Sequence, residues 1–377
     1  MKIAILTQPL HTNYGGTLQA FALQYILRDI GHEPVTINYR KTKPTIHPVR
    51  LVLSRIKQKI FHGRIIYSFT DDDLLIISKY HNEFIDKHIK HTDSIYGVDE
   101  LCRLFSIENF NAVIVGSDQT WRPRYSPRID SFFLDFLSEN KNIKKISYAS
   151  SFGTDNWEFT KEQTAKFSKL LQRFDSISVR ESSAVNLCAK YLGVSSEHVL
   201  DPTFLLDKKV YLELIKDIPP RGKGKVFSYV LDKSQEKVNI ISNVCRLLGK
   251  DCFETYPKYS EKEARRIKDY AEYQYPSIEY WVRSFYDADF VITDSFHGTV
   301  FSIIFNKPFI SIGNESRGKA RFTSLLSKFN LENRLISHES EITSELINES
   351  IDFAMVNLKL NELKKHSLTF LNNSLSD

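Results

Sequence analysis

The segment from residue 287 to residue 313, DADFVITDSFHGTVFSIIFNKPFISIG, constrains the fold most, because short apolar runs flank a polar turn. Residues 290–292 predict a buried strand, residues 300–305 a buried helix, and residues 309–312 a second buried strand. Asn306-Lys307-Pro308 is a helix stop signal. The pattern predicts a strand-turn-helix-strand unit, which is typical of parallel α/β sheets.

A single histidine, His297, stands where this turn becomes the helix. Unpaired backbone N–H groups at a helix start attract anions, and the helix dipole adds to the attraction. A histidine in that place can donate a hydrogen bond to a bound anion or carry a proton to a leaving group. It could equally be a helix cap alone, so this unit leaves both interpretations open.

Chain length and composition predict a soluble protein of about two or three domains. The 377 residues are 42% hydrophobic and 26% charged, and no apolar run approaches the roughly 20 residues that span a bilayer. Residues 1–16 predict a first core strand rather than a signal peptide. The four cysteines show no CxxC spacing, so we expect neither a metal site nor disulfides. We therefore expect a cytoplasmic location.

The positive charge is concentrated in one stretch, from Arg40 to Arg64. Residues 34–70 hold eight lysines and arginines and no acidic residue, so a net charge of +5 leaves about −3 elsewhere. Apolar residues recur at helical spacing there, which predicts a basic amphipathic helix of the kind that lies on anionic membranes. A solvated helix that covers the core would show the same pattern. We expect no nucleic-acid partner.

The N-terminal segment predicts the first unit of a doubly wound α/β domain. A strand at residues 2–6 leads into a polar loop that ends in Asn13-Tyr14-Gly15-Gly16, and a helix and a second strand follow. The two glycines would let the backbone approach a ligand closely. Their spacing is neither that of a dinucleotide-binding loop nor that of a P-loop.

Two later strands also end in polar residues. Residues 111–115 run into Gly116-Ser117-Asp118-Gln119-Thr120-Trp121, which places a carboxylate at the carboxyl edge of the sheet, where open α/β proteins bind ligands. Asp118 could instead cap the next segment. Arg180 follows the strand at 176–179, and its planar fork suits a carboxylate or phosphate. A salt bridge to Glu181 is the alternative.

We predict two domains and a closing helix. Pro219-Pro220 and the glycine-rich residues 221–225 indicate a linker between domain 1–220 and domain 221–345. Residues 346–377 form an amphipathic helix that would pack back on the first domain, with Ile351, Met355, Leu358 and Leu363 as its apolar face. Two such domains form a cleft, which is a common ligand site.

Six segments together resemble the polysaccharide pyruvyl transferase family. They are NYGGTLQAFALQYIL (13–27), VIVGSDQTW (113–121), ISYASSFG (146–153), SVRESSAV (178–185), VLDPTFLL (199–206) and ADFVITDSFHGTVFSIIFNKPF (288–309). The resemblance implies two Rossmann-like doubly wound domains that face a cleft, as in glycosyltransferase B. It also implies transfer of pyruvate from phosphoenolpyruvate to two hydroxyls of a sugar, as a ketal, with no further cofactor. The acceptors of such enzymes are often lipid-linked, so the stretch from Arg40 to Arg64 would contact the inner membrane face.

The resemblance also assigns residues. The catalytic positions of the family fall on Asp118, Arg180 and His297, with Arg180 as the residue that binds phosphoenolpyruvate. Some members have an Arg-Leu pair before the histidine where this chain has Ser295-Phe296, so Arg317 or Arg321 would have to replace the missing cation. The candidate substrate-binding residues are Asn13, Tyr14, Gly15, Gly16, Ser117, Gln119, Trp121, Ser295, Phe296, Gly298, Thr299, Arg317 and Arg321.

Two other functions fit the same features. One is a nucleotide-sugar glycosyltransferase on the same architecture, because fold does not fix chemistry. The other is a non-catalytic protein that binds a sugar or an anion, an idea that the Ser295-Phe296 departure favours. Retention of Asp118, Arg180 and His297 together argues against the second.

Overall fold

The computed structural model describes residues 1–41, 69–137, 140–259, 270–313 and 318–376. Most of the predicted basic helix between Arg40 and Arg64, and the candidate Arg317, lie outside these residues. Arg40 and Lys41 are the part of the basic stretch that is described.

The first half is a parallel sheet of buried apolar strands with helices around it. Within the described residues it has six strands in the order β2-β1-β5-β6-β7-β8, and β3 pairs with β4 separately. The elements are β1 (Lys2–Leu6), α1 (Tyr14–Asp29), β2 (Glu33–Thr36), β3 (Tyr39–Arg40), α2 (Asp71–Ile77), α3 (Lys79–His88), β4 (Ile95–Tyr96), α4 (Gly97–Ile107), β5 (Ala112–Val115), β6 (Lys144–Ser150), α5 (Lys161–Leu171), β7 (Ser176–Val179), α6 (Ser182–Leu187), β8 (Glu197–His198) and α7 (Lys208–Leu214).

The second half repeats this architecture with a smaller parallel sheet. Its five strands, counted over the described ranges, have the order β10-β9-β11-β12-β13. Its elements are β9 (Val226–Tyr229), α8 (Gln235–Leu248), β10 (Cys252–Phe253), α9 (Ile278–Asp287), β11 (Phe290–Thr293), α10 (Phe296–Ile304), β12 (Phe309–Ile312), α11 (Lys319–Ser327), β13 (Leu335–Ile336) and α12 (Ser344–Asn348). The predicted strand-turn-helix-strand unit is β11, α10 and β12, and both strands are fully buried, as apolar strands of a parallel sheet are expected to be.

The last helix, α13 (Phe353–Leu375), lies on the first half. Its Ser367 Oγ accepts a hydrogen bond from the Leu200 backbone N–H at 3.0 Å, and the Phe370 ring lies 6.3 Å from the Tyr148 ring. The predicted apolar face is wrong at two positions, because Met355 and Leu358 are exposed. The buried side chains belong mainly to the second half of the helix, which packs on the first half of the molecule.

A continuous apolar core joins the two halves beside the start of α1. Tyr14 stacks on Trp281 of α9 with ring centroids 5.4 Å apart, and its hydroxyl donates a hydrogen bond to the Pro276 carbonyl at 2.8 Å. These contacts bring the start of α1 next to the start of α10. The candidate residues on both helices therefore meet at the junction of the halves.

Candidate functional site

The carboxyl ends of β5 and β11 open onto one cavity of about 780 Å³ between the halves. Asp118 lines it from the first half, and His297 lines it from the second. Cationic side chains from both halves also line it, namely Arg40, Lys41, Arg124 and Arg321. A cavity of this size and charge suits a small anionic ligand.

Asp118 is the buried carboxylate at the end of β5. Its backbone lies in the left-handed region with φ of 76°, a conformation that non-glycine residues adopt mostly where function or tight packing imposes it. Its Oδ1 accepts a hydrogen bond from Arg180 Nη2 at 3.1 Å. Burial alone would raise the pKa of Asp118, but the charges of Arg180, His297 and Arg321 lower it below its usual value. The carboxylate is therefore ionised at neutral pH.

Arg180 is fully buried and holds three carboxylates. Nη1 donates to Asp201 Oδ2 at 2.8 Å, Nη2 donates to Asp118, and Nε lies 3.5 Å from Glu181 Oε1. The guanidinium also packs on the Phe296 ring at 4.3 Å. Burial lowers the pKa of Arg180, but the three carboxylates raise it above its usual value.

The predicted contact between Arg180 and the donor substrate stays a prediction. Its guanidinium points at carboxylates and does not line the cavity, because Asp118, Asp201 and Glu181 surround it. Arg180 therefore contacts Asp118 rather than the cavity. It fixes Asp118 and favours its ionised form.

Asp201 is a functional candidate that the sequence did not single out. Its Oδ2 accepts hydrogen bonds from Arg180 and from Ser117 Oγ (3.2 Å) and lies 3.5 Å from His297 Nε2. Its Oδ1 accepts from the backbone N–H of Thr203 at 3.0 Å. Burial raises the pKa of Asp201, but His297 and Arg180 lower it by more. The net result is a pKa well below the usual value, so Asp201 is also ionised. The available signal was an aspartate before Pro202 at the end of a strand.

His297 lies in the first turn of α10, because the helix begins at Phe296, earlier than predicted. Ser295 is the N-cap, and its Oγ accepts a hydrogen bond from the Gly298 N–H at 3.4 Å. The imidazole lies directly against the backbone of Gly15 in α1. A Cβ at Gly15 would overlap the ring around Nδ1, so this position requires glycine. The first half thereby fixes the histidine of the second.

Other predicted residues also line the cavity or support it. Asn13 lines it and caps α1, with Oδ1 accepting from the Gly16 N–H at 3.1 Å. Gln119 lines it, and its side-chain oxygen accepts from Arg122 Nη1 at 3.1 Å. Ser295 and Phe296 line it from α10. Ser117 does not line the cavity, and its hydroxyl donates to Asp201 Oδ2 at 3.2 Å.

Several predicted substrate-binding residues do not line the cavity. Trp121 is completely buried, donates from Nε1 to the Phe132 carbonyl at 3.0 Å and stacks on Phe133, so substrate cannot reach it. Thr299 is also completely buried, and its hydroxyl pairs with Ser311 Oγ at 2.7 Å. Gly298 packs tightly against Thr293, which keeps α10 close to β11. Tyr14, described above, holds the halves together.

Asp294 is a second residue that the sequence analysis missed. It lines the cavity, but its Oδ1 accepts from the Leu231 N–H at 2.6 Å and its Oδ2 from Lys237 Nζ at 2.7 Å. These bonds tie the loop after β9 to the turn before α10. Asp294 therefore shapes the turn before α10.

Arg321 of α11 lines the cavity near the place of the cation that the family resemblance led us to expect before His297. Its guanidinium lies 6.0 Å from the Phe296 ring. Burial and the charge of Arg180 lower its pKa to about 10, so it remains cationic at neutral pH.

The described part of the chain has neither a metal-binding cluster nor a membrane-spanning helix. No group of three or more His, Cys, Asp or Glu side chains there is arranged to hold a metal ion. No helix there is long and apolar enough to cross a membrane.

Comparison with known proteins gives one family and one fold. The family model described as polysaccharide pyruvyl transferase matches residues 13–316. No curated protein sequence matches the chain. Among solved structures, the UDP-GlcNAc 2-epimerase of Methanocaldococcus jannaschii is similar, with a TM-score of 0.55, 11% identity, and 99% of this chain and 100% of that chain covered. UDP-N-acetylglucosamine 2-epimerase of Rickettsia bellii has a TM-score of 0.52 at 11% identity, covering 99% and 96%. At such identity the likeness concerns the fold alone, and it confirms the predicted glycosyltransferase B-like architecture.

Proposed function

Since the chain belongs to the polysaccharide pyruvyl transferase family, we propose that it transfers the pyruvyl group of phosphoenolpyruvate to two hydroxyls of a sugar. The product is a cyclic ketal, and phosphate is released. The placement of Asp118 and His297 on opposite halves of one cation-lined cavity carries the proposal. An acid and a base that flank one cavity are what such a transfer needs.

The reaction balances with one donor and two hydroxyls. A proton added to the methylene carbon of phosphoenolpyruvate makes a methyl group and leaves a cationic centre at C2. One hydroxyl bonds to C2, the bond from C2 to the phosphate oxygen breaks, and the second hydroxyl closes the ketal. The two protons that the hydroxyls lose balance the proton added to carbon and the proton that leaves with phosphate.

The second half is the better anion site. The N-terminus of α10 presents backbone N–H groups and the positive end of its dipole to the cavity, and His297 lies in that first turn. We assign the donor phosphate to this turn, with His297 as its ligand and proton donor. Arg321, from α11, takes the place of the cation that is missing before His297.

The first half suits the acceptor. Asp118 is ionised and fixed by Arg180, so it can accept a proton from a sugar hydroxyl without first reorganising. Arg180 and Asp201 act through Asp118 and His297 rather than by touching substrate.

Labelled donor tests the proposal. The purified protein is incubated with ¹³C-labelled phosphoenolpyruvate and a panel of saccharides with free 4- and 6-hydroxyls, and product label and phosphate are measured. The wild type should transfer label, Asp118→Asn should lose a factor of roughly 10² to 10⁴, and exposed Asp99→Asn should behave as wild type. Turnover of a sugar nucleotide alone would instead support a glycosyltransferase. Binding without turnover would support a non-catalytic protein.

We further infer a lipid-linked acceptor and peripheral attachment to anionic membrane through the stretch that begins at Arg40 and Lys41. Both of these residues line the cavity, so the basic stretch starts beside the site. Basic residues near an anionic surface contribute about 1 kcal/mol each. The protein should sediment with anionic vesicles at low salt and not with neutral ones. Failure to sediment with either would contradict the attachment.

A further inference from the structure

A second cavity of about 480 Å³ adjoins the first. The two share four lining residues, Leu10, His11, Arg40 and Lys41, so one continuous surface leads from the site into the second cavity. Its volume falls within the roughly 300–1,000 Å³ of small-molecule sites. None of the roles assigned above uses it.

Aromatic side chains make up much of its lining. Tyr96 and Tyr259 line it and are each 38% exposed, and Tyr273, Tyr275 and Phe69 line it as well. Tyr273 lies between Phe69 and Tyr259, with ring centroids 5.8 Å from each. We call this space the tyrosine cavity.

The wall of the tyrosine cavity is built from both halves of the molecule. The Tyr275 N–H donates to the Ile77 carbonyl at 2.9 Å, and Gln274 Nε2 donates to the Ile76 carbonyl at 3.0 Å. These bonds fix residues 274 and 275 to the end of α2. The backbone that carries Tyr275 is therefore held in place before any ligand arrives, which reduces the entropy lost on binding.

Small polar side chains lie among the rings. Thr12, Ser78 and Asn82 line the cavity beside the aromatic groups. Asn82 Nδ2 donates to Ser78 Oγ at 3.1 Å, which orients the amide. Rings interleaved with hydroxyl and amide groups match a ligand that has both apolar faces and a rim of hydroxyls.

We propose that the tyrosine cavity binds the sugar residue of the acceptor next to the one that receives pyruvate. This rests on the proposed function, because it takes the acceptor to be a sugar. The C–H face of a pyranose ring stacks on tyrosine, and its hydroxyls reach the polar side chains. Continuity with the first cavity lets one chain of sugars occupy both.

The test compares a monosaccharide with a disaccharide. Methyl hexopyranosides with free 4- and 6-hydroxyls are assayed beside disaccharides that carry the accepted hexose at the non-reducing end. Tyr259→Ala and Tyr96→Ala should raise KM for the disaccharide by about three- to tenfold, as expected for one lost ring contact. KM for the monosaccharide and kcat should not change.

Controls separate the ring from general effects. Tyr259→Phe keeps the ring and should resemble the wild type, and Tyr25→Ala removes an equally exposed tyrosine outside the cavity and should change nothing. An unchanged disaccharide KM in both alanine variants overturns the proposal. Equal KM increases for both sugars also overturn it, because they place the rings in the first cavity.

Saturation-transfer NMR with the same sugars keeps this inference separate from the proposed reaction, since it needs no turnover. If the wild type transfers no pyruvate but saturates the disaccharide more than Tyr259→Ala does, the reaction is wrong and the cavity assignment stands. Absence of disaccharide saturation in the wild type overturns the assignment. Decyl phosphate is also tested as a competitor of the disaccharide. If it competes equally well with the wild type and with Tyr259→Leu, the cavity binds an alkyl chain and the assignment is overturned.

Discussion

The two halves contribute to the site in different ways. The first half contributes a closed network, in which Arg180 holds Asp118, Asp201 and Glu181 in a fully buried position. The second half contributes a helix start, where His297 lies 3.5 Å from Asp201 but Nε2 makes no hydrogen bond within the described residues.

This difference between the halves predicts different effects of mutations on stability and on activity. A buried charge network is costly to break, because each carboxylate left behind has lost its water. The His297 imidazole is held by packing against Gly15 and by its approach to Asp201, and no such network of ion pairs surrounds it within the described residues. Changes in the first half should therefore affect folding and activity together, and changes at His297 should affect activity alone.

Replacing His297 with Gln gives the largest expected effect on activity. Pyruvyl transfer should fall by a factor of roughly 10² to 10⁴, because glutamine cannot exchange a proton at neutral pH. The free energy of unfolding should change by only about 1 kcal/mol, the size of one hydrogen bond. Phosphate release measures the activity, and urea unfolding measures the free energy of unfolding. Exposed His338→Gln is the control, and a large stability loss for His297→Gln would contradict the comparison.

Replacing Arg180 with Met should give the largest loss of stability. Three carboxylates would lose their shared cation, and breaking a buried ion pair costs about 3–5 kcal/mol. Urea unfolding should report this loss, with the exposed Arg103→Met as a control near zero. A stable Arg180→Met variant whose KM for phosphoenolpyruvate alone is raised would return Arg180 to the role of donor ligand.

Gly15→Ala tests the contact where the halves meet. The new methyl group would overlap the His297 ring, so the ring or α1 must move. Overpacking of this kind costs roughly 1–3 kcal/mol, and transfer should fall because the imidazole is displaced. Gly313→Ala is the matched control, since its methyl group would meet its nearest neighbour at an ordinary 3.4 Å. Full activity in Gly15→Ala would show that the histidine is not held by this contact.

Sequence patterns predicted which strand ends carry the site residues better than they predicted the hydrogen bonds between those residues. Apolar strands that end in polar residues placed Asp118 and Arg180 at the carboxyl edge of the first sheet and His297 at that of the second, since parallel strands share their carboxyl ends. The ion pair between Arg180 and Asp201 could not be predicted, because Asp201 lies in a separate loop that is distant in sequence. Trp121 lies three residues from Asp118 but points into the core. Closeness in sequence does not determine the direction of a side chain.

The early start of α10 shows a second limit. Phe296-His297-Gly298 has weak helix propensity, so periodicity predicted that the helix begins at residue 300. In the structure Ser295 caps the segment, and packing of Gly298 on Thr293 holds it in place. Tertiary contacts thus place His297 in the first turn of the helix, where the sequence pattern predicted a loop.

The smallest expected effect concerns acid and tests how firmly the first half holds the second. His198 of β8 donates from Nε2 to the Arg180 carbonyl at 2.9 Å, and the same nitrogen lies 3.4 Å from Ser324 Oγ of α11. Burial, with the charge of Lys328, lowers the pKa of His198 from 6.5 to about 4. Because the unfolded chain binds its proton first, the free energy of unfolding should fall as pH drops from 6.5 towards 4.

The contribution of His198 to that slope is about 1.4 kcal/mol per pH unit at most. His198→Gln should remove it, which urea unfolding at several pH values would measure. His81, whose pKa burial lowers to about 3, contributes with the same sign and should be unaffected by that change. The lowered pKa values of Asp118 and Asp201 act only below about pH 4, so they do not mask the result. An unchanged slope in His198→Gln would mean that this contact between the halves opens before the histidine titrates.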